Sequence, residues 1–150
     1  MLADDAPPTT TADSCAVVWD DGFCRYDFGP YHPMSPVRLT LTLDLARAAG
    51  LLDRPGVEVI EAPVASEEQL AAVHERPYIE AVRRASAPLL LEAHDELIGV
   101  GIGGDDVPAF PGMHEASARI VGGSIAAIDA IRSGRVARAV NVAGGMHHAR

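Results

Sequence analysis

The sequence contains no lysine; all twelve of its cations are arginine, which we read as compositional bias and not as chemistry. Against them stand 21 acidic residues, so the formal net charge is −9. That balance excludes non-specific binding to nucleic acid or anionic membranes, because the phosphate contribution would be repulsive. Cysteine is scarce: Cys15 and Cys24 form neither a CxxC pair nor a disulfide framework. Long apolar runs are missing too. The longest near-apolar stretch, Ile120 to Ile131, holds Ser124, Asp129 and two glycines, and is too short to span a bilayer. Residues Met1 to Ser14 are acidic and rich in Pro, Thr and Ala, with no basic or apolar signal region. They are expected to form a disordered tail, residues 1–14, on a cytoplasmic protein.

What remains is a globular composition, 48% apolar over 150 residues. Ala16 to Trp19 reads as a short buried strand, and a 17-residue Pro- and aromatic-bearing loop follows to Pro36. Connections that long inside a domain are usually functional, and this composition favours an ordered one. Leu39 to Leu45 alternates with period 2 and on its own suggests a strand. The Ser35-Pro36 start, the alanine-rich continuation and the Gly50 stop predict a helix over Pro36 to Ala49 instead. Val57 to Ile60 is a strand, and Ser66-Glu-Glu-Gln69 a capping box opening a helix. Pro77 to Ala85 is a further helix, and 87–112 is read as irregular. Met113 to Arg132 is a strong helix, packed closely at Gly122-Gly123, and Ala137 to Val142 a buried strand. Strands alternating with helices imply an α/β fold with a mainly parallel sheet.

The loop after that last strand carries the most chemistry. Ligands of open α/β sheets bind outside the carboxyl ends of strands. There the sequence reads Asn141-Val-Ala-Gly-Gly-Met-His-His148. Adjacent imidazoles on extended backbone point to different sides, so they seldom chelate one metal. They can flank one substrate, one as general base and the other as a charge stabiliser; two partly exposed loop histidines are the dull alternative. Gly99 to Gly104 satisfies GxGxxG without context: no strand precedes it, and Asp105 and Asp106 would repel a pyrophosphate. An exposed Asp there could accept hydrogen bonds from a substrate's backbone N–H groups. His32 reads as a structural hydrogen-bonding group, and His74, His94 and His114 as surface or satisfied histidines. Arg38, in a first helical turn, needs a local anion or carbonyl partner, or solvent.

Five blocks carry a resemblance. They are Tyr26-Asp-Phe-Gly-Pro-Tyr-His-Pro-Met-Ser-Pro-Val-Arg38, Val73-His-Glu-Arg-Pro-Tyr-Ile79, Asp106-Val-Pro-Ala-Phe-Pro-Gly-Met113, Gly122-Gly-Ser124 and Ala139-Val-Asn-Val-Ala-Gly-Gly-Met-His-His-Ala149. In this order they resemble the N-terminal part of the zinc-dependent histone deacetylase superfamily, in a bacterial branch. The resemblance implies an arginase/deacetylase-like three-layer fold, incomplete in this chain. Residues 15–150 would be the N-terminal part of one deacetylase domain. It implies hydrolysis of an N-acetyl-lysine amide, with a zinc ion polarising the carbonyl and its bound water. His147 and His148 fall at the family's tandem catalytic histidines. Asp106 falls at the rim residue that grips the acyl-lysine backbone, and Gly145 borders the substrate. Arg38 and Gly144 fall at the internal cavity through which acetate leaves. Arg150 stands where other members of the family carry a lysine, a mild departure.

The family's zinc ligands lie downstream of the tandem histidines and are expected beyond Arg150, so none is expected within these 150 residues. The chain alone is therefore expected neither to bind zinc nor to catalyse, and to fold marginally with exposed sheet edges. An acetylated protein is the implied substrate, acetyl-coenzyme A synthetase among the candidates; nucleic acid and membrane are not. Two alternatives stay open: an acetylpolyamine or small-amide amidohydrolase, against which Asp106 weighs, and a non-catalytic α/β interaction domain.

Overall fold

The computed structural model describes residues 12–87 and 94–144, with the side chains of 94–96 not described. Its centre is a three-stranded parallel sheet of β1 (Cys15–Val18), β2 (Val57–Ile60) and β3 (Arg138–Asn141), in the order β2-β1-β3. Cys15 stands opposite Val57 on one side and Arg138 on the other. The crossovers β1 to β2 and β2 to β3 therefore run in opposite directions across the sheet. Right-handed crossovers put their helices on opposite faces. The first carries α1 (Val37–Ala48). The second carries α2 (Glu67–Ala71), α3 (Arg76–Ala85), α4 (His94–Gly99) and α5 (Met113–Arg132). The result is three layers, helix, sheet and helix, on a mixed α/β plan, an incomplete form of the arginase/deacetylase-like fold.

Helix α5 lies closest to the sheet because its facing residues are small. Ala16 packs with Ala130 and Val136, and Val18 with Ala127, Phe23 and Leu39. The approach is tightest at Gly122 and Gly123, as the sequence suggested. A methyl group on Gly122 would lie 1.8 Å from the Pro63 carbonyl oxygen, so only glycine fits.

Helix α1 settles the ambiguity of its sequence. Leu39 and Leu43 are buried, whereas Val37, Leu41 and Leu45 are exposed. Alternating leucines on a 3.6-residue period split into an inner and an outer stripe. The helix begins one residue later than expected: Pro36 stands at the cap position, and the Ser35 hydroxyl accepts from Val37 N–H at 3.3 Å. Ser66 and Gln69 form the expected capping box. The stretch read as irregular contains α4. A six-residue helix is shorter than two turns, too short to show a period against its glycines. Because α4 precedes the glycine-rich run, the strand that a dinucleotide motif needs is not there.

Residues 1–11 of the expected tail lie outside the described residues. Ser14 belongs to the fold: it is buried, and its hydroxyl accepts from Ala137 N–H at 2.9 Å. Strands β2 and β3 form the two edges of the sheet. No described helix is long and apolar enough to cross a membrane.

Candidate functional site

Strand β1 lies between crossovers that leave for opposite faces, so the crevice outside the carboxyl ends of β1 and β3 is where such sheets bind ligands. Four segments meet there. The first is the turn after β1. Asp20 accepts from Gly22 N–H at 2.7 Å and opens a 3-10 turn over Asp21–Arg25, which buries Phe23. The second is the loop from Tyr26 to Pro36, ordered by aromatic contacts. Tyr26, Phe28 and Phe110 stack edge to face, with centroids 5.1–5.7 Å apart, and His32 stands 4.6 Å from Phe28. The third is the start of α1, and the fourth the exit of β3.

Their side chains enclose a small recess lined by Phe23, Tyr26, Met34, Arg38, Leu39 and Ala143 among others, with room for about one water molecule. Arg38 thus lines a recess beside Ala143, next in the chain to Gly144, whose φ of 55° suits glycine. His32 is structural in these residues: its Nδ1 accepts from Met34 N–H at 3.1 Å and so holds the turn that brings Met34 to the recess. Burial, with a smaller contribution from Tyr78, pushes the Tyr26 phenol above its usual range.

Asp106 is exposed on the neighbouring loop, in a tight turn closed by Gly103 N–H to Val107 O at 2.7 Å. The same loop is anchored by Phe110 to Tyr26 and Phe28. This brings the segment carrying Asp106 to the aromatic wall of the recess. Gly145, His147, His148 and Arg150 lie outside the described residues.

Two polar networks brace this end of the sheet, and neither shows a periodic signal in the sequence. Arg119 of α5 donates to Asp20 Oδ2 at 3.0 Å and to Ala62 O at 3.3 Å, joining α5 to the exits of β1 and β2. Asn141, the only asparagine in the sequence, bonds Ile120 O and Ser124 Oγ on α5. A lone Asn at a strand's end and an Arg on a helical face were the available hints.

The comparisons with known proteins agree with this architecture. Residues 32–150 match the histone deacetylase domain, and the chain belongs to that family. It is similar to the acetoin utilization protein AcuC of Bacillus subtilis, 37% identical over 131 residues. It is also similar to the proteins of that name from Staphylococcus aureus strain MSSA476, at 34% over 134 residues, and Staphylococcus xylosus, at 35% over 131. The matches cover 87–89% of this chain and 33% of each relative, so the chain spans about a third of their length. Among the described residues no three His, Cys, Asp or Glu side chains converge to hold a metal ion. The zinc implied by the family, with its ligands expected beyond Arg150, therefore finds no fit among them.

Proposed function

We propose that residues 1–150 supply the first third of a cytoplasmic deacetylase domain that hydrolyses N-acetyl-lysine amides on proteins. Membership of the histone deacetylase family supports this class of hydrolysis. In this reading water adds to the acetyl carbonyl, the carbon–nitrogen bond breaks, and acetate and the lysine amine leave. His148 takes the proton from the attacking water and passes it to the departing nitrogen. His147 steadies the charge that develops beside it. Asp106 accepts backbone N–H groups of the acylated peptide, and Gly145 lets the acyl-lysine side chain pass close. Arg38 and Gly144 line the cavity that receives acetate, the arginine offsetting its charge. The reaction is proposed to depend on zinc held by residues beyond Arg150. Acetylated proteins are the proposed substrates, with acetyl-coenzyme A synthetase a candidate and a part in acetoin use suggested by the relatives' name.

The observation that supports this reading best is the convergence of Arg38 and the β3 exit at one recess, with Phe110, from the loop that bears Asp106, packed on Tyr26 in its wall. The test is acetate release from acetyl-lysine peptides and from acetylpolyamines, by a polypeptide carrying these residues and the rest of the domain. Peptides should be turned over, residues 1–150 alone should release nothing, and Asp106→Ala should raise KM for peptides while sparing small amides. A preference for acetylpolyamines untouched by Asp106→Ala would refute the protein-substrate reading.

A further inference from the structure

Acid–base chemistry needs imidazoles held to a fraction of an ångström. Yet Gly144 and Gly145, just before the paired histidines, have no side chains with which to hold the backbone. The direction in which the chain leaves β3 must be fixed by something else. Asn141 ends that strand, and every described polar atom of its side chain is engaged. Nδ2 donates to Ile120 O and to Ser124 Oγ, each at 3.0 Å. Oδ1 accepts from Ala143 N–H at 3.1 Å.

The two halves of the amide do different things. The acceptor folds residues 141–143 into an Asx turn, so the backbone bends before it reaches Gly144. The donor ties that turn to α5, the helix braced by Arg119 against the exits of β1 and β2. Ser124 Oγ also points at Ile120 O, at 3.4 Å, which closes the three groups into a triangle. The approach is possible because residue 123 is glycine: a methyl group there would already stand 3.0 Å from Asn141 Nδ2. An aspartate would satisfy the turn equally well but would set an oxygen against Ile120 O. Only an amide serves both ends.

We propose that Asn141, backed by Ser124, is a positioning residue for the paired histidines of the deacetylase reaction. It touches no reacting atom; it sets the angle at which the chain enters Gly144 and runs on to His147 and His148. The proposal rests on the reading of those two histidines as the acid–base pair.

The test compares steady-state kinetics on an acetyl-lysine peptide for Asn141→Ala, Asn141→Asp, Ser124→Ala and His148→Ala. All are made in the polypeptide that carries the whole domain, with thermal melts alongside. Displacing catalytic groups by about 1 Å costs about 100-fold, so Asn141→Ala should lower kcat by about that factor with KM within about twofold. Asn141→Asp keeps the turn without the tether and should fall between Asn141→Ala and the native protein, with Ser124→Ala mildest. If Asn141→Ala does not fold, Asn141→Asp carries the test by the same split. Native kcat in a folded Asn141 variant, or loss of kcat only in proportion to lost folded protein, overturns the proposal. His148→Ala separates the two readings. If it is inactive while Asn141→Ala is normal, only the positioning role fails. If it is fully active, the acid–base reading falls and takes the proposal with it.

Discussion

Two hollows among the described residues differ in kind. The larger, about 730 Å³, runs along the edge strand β2 and the flank of α5, between Val59, Val64, Ile125 and Ala126, with Asp129 and Arg135 at its margin. The smaller, about 10 Å³, lies at the carboxyl ends of β1 and β3. Volume favours the first; convergence favours the second. Around the small recess three polar networks brace the backbone, from Asp20 and Arg119, from Asn141 and Ser124, and from His32 and Met34. Along the large groove the polar groups include a half-buried ion pair of Arg135 with Glu58 at 2.7 Å, Gln69 of the α2 capping box, and exposed carboxylates. Ion pairs that stay open to solvent on one side contribute little, roughly 0–1 kcal/mol. A site that must hold reacting atoms is marked by fixed backbone, and size alone does not mark it.

The contrast can be tested by breaking each side of it. The largest effect should come from Gly122→Ala, whose new methyl group would collide with the Pro63 carbonyl. Overpacking against backbone costs about 3 kcal/mol or more, and urea unfolding should show the loss or no folded protein at all. Beside the small recess, Arg119→Met should cost about 2 kcal/mol, because Asp20 and the Ala62 carbonyl lose their charged donor while remaining largely enclosed. By contrast, Arg135→Met in the large groove, which takes the cation from a half-buried Glu58, should cost no more than about 1 kcal/mol in urea unfolding. Within α1, Leu43→Ala should cost about 2–5 kcal/mol. Leu41→Gln, 62% exposed, should cost under about 0.5 kcal/mol in these 150 residues.

The smallest effect concerns pH. Burial, reinforced by the nearby Arg83 charge, lowers the His114 pKa from its usual value near 6.5. Its Nε2 is buried without a partner among the described residues. The unfolded chain then binds the proton more readily than the folded one. The stabilising contribution is present above about pH 6.5 and is lost as pH falls through the depressed folded value. His114→Asn should flatten the decline of the melting temperature on that acid side; an unchanged slope would assign it elsewhere.

Most of the fold could be read from local chemistry. The capping box at Ser66, the glycine pair of α5 and the positions of the three strands each announced themselves through short-range rules; β3, expected to be buried, is instead an edge strand with Arg138 and Val140 exposed, because its apolar letters carry no sign of where the sheet ends. Helix α1 was legible only because its flanks outweighed its alternating leucines. Helix α4 was not legible, since six residues among glycines carry no period. The recess was half legible. Arg38 and the β3 exit were named from motifs, whereas Tyr26 and Met34 reach the recess through an aromatic cluster that joins residues some eighty positions apart. The tethers made by Arg119 and Asn141 span 99 and 17–21 positions, beyond any local pattern.

The central claim is that the strand-end recess leads to the reaction and that the paired histidines carry it. It is tested most directly by measuring acetate release from an acetyl-lysine peptide after replacing both His147 and His148 with alanine in the complete domain. Loss of a positioned acid–base group lowers rates by about 100- to 10,000-fold, and a fall of at least that size is predicted with the fold intact. Turnover at the native rate by the folded double variant would contradict the account.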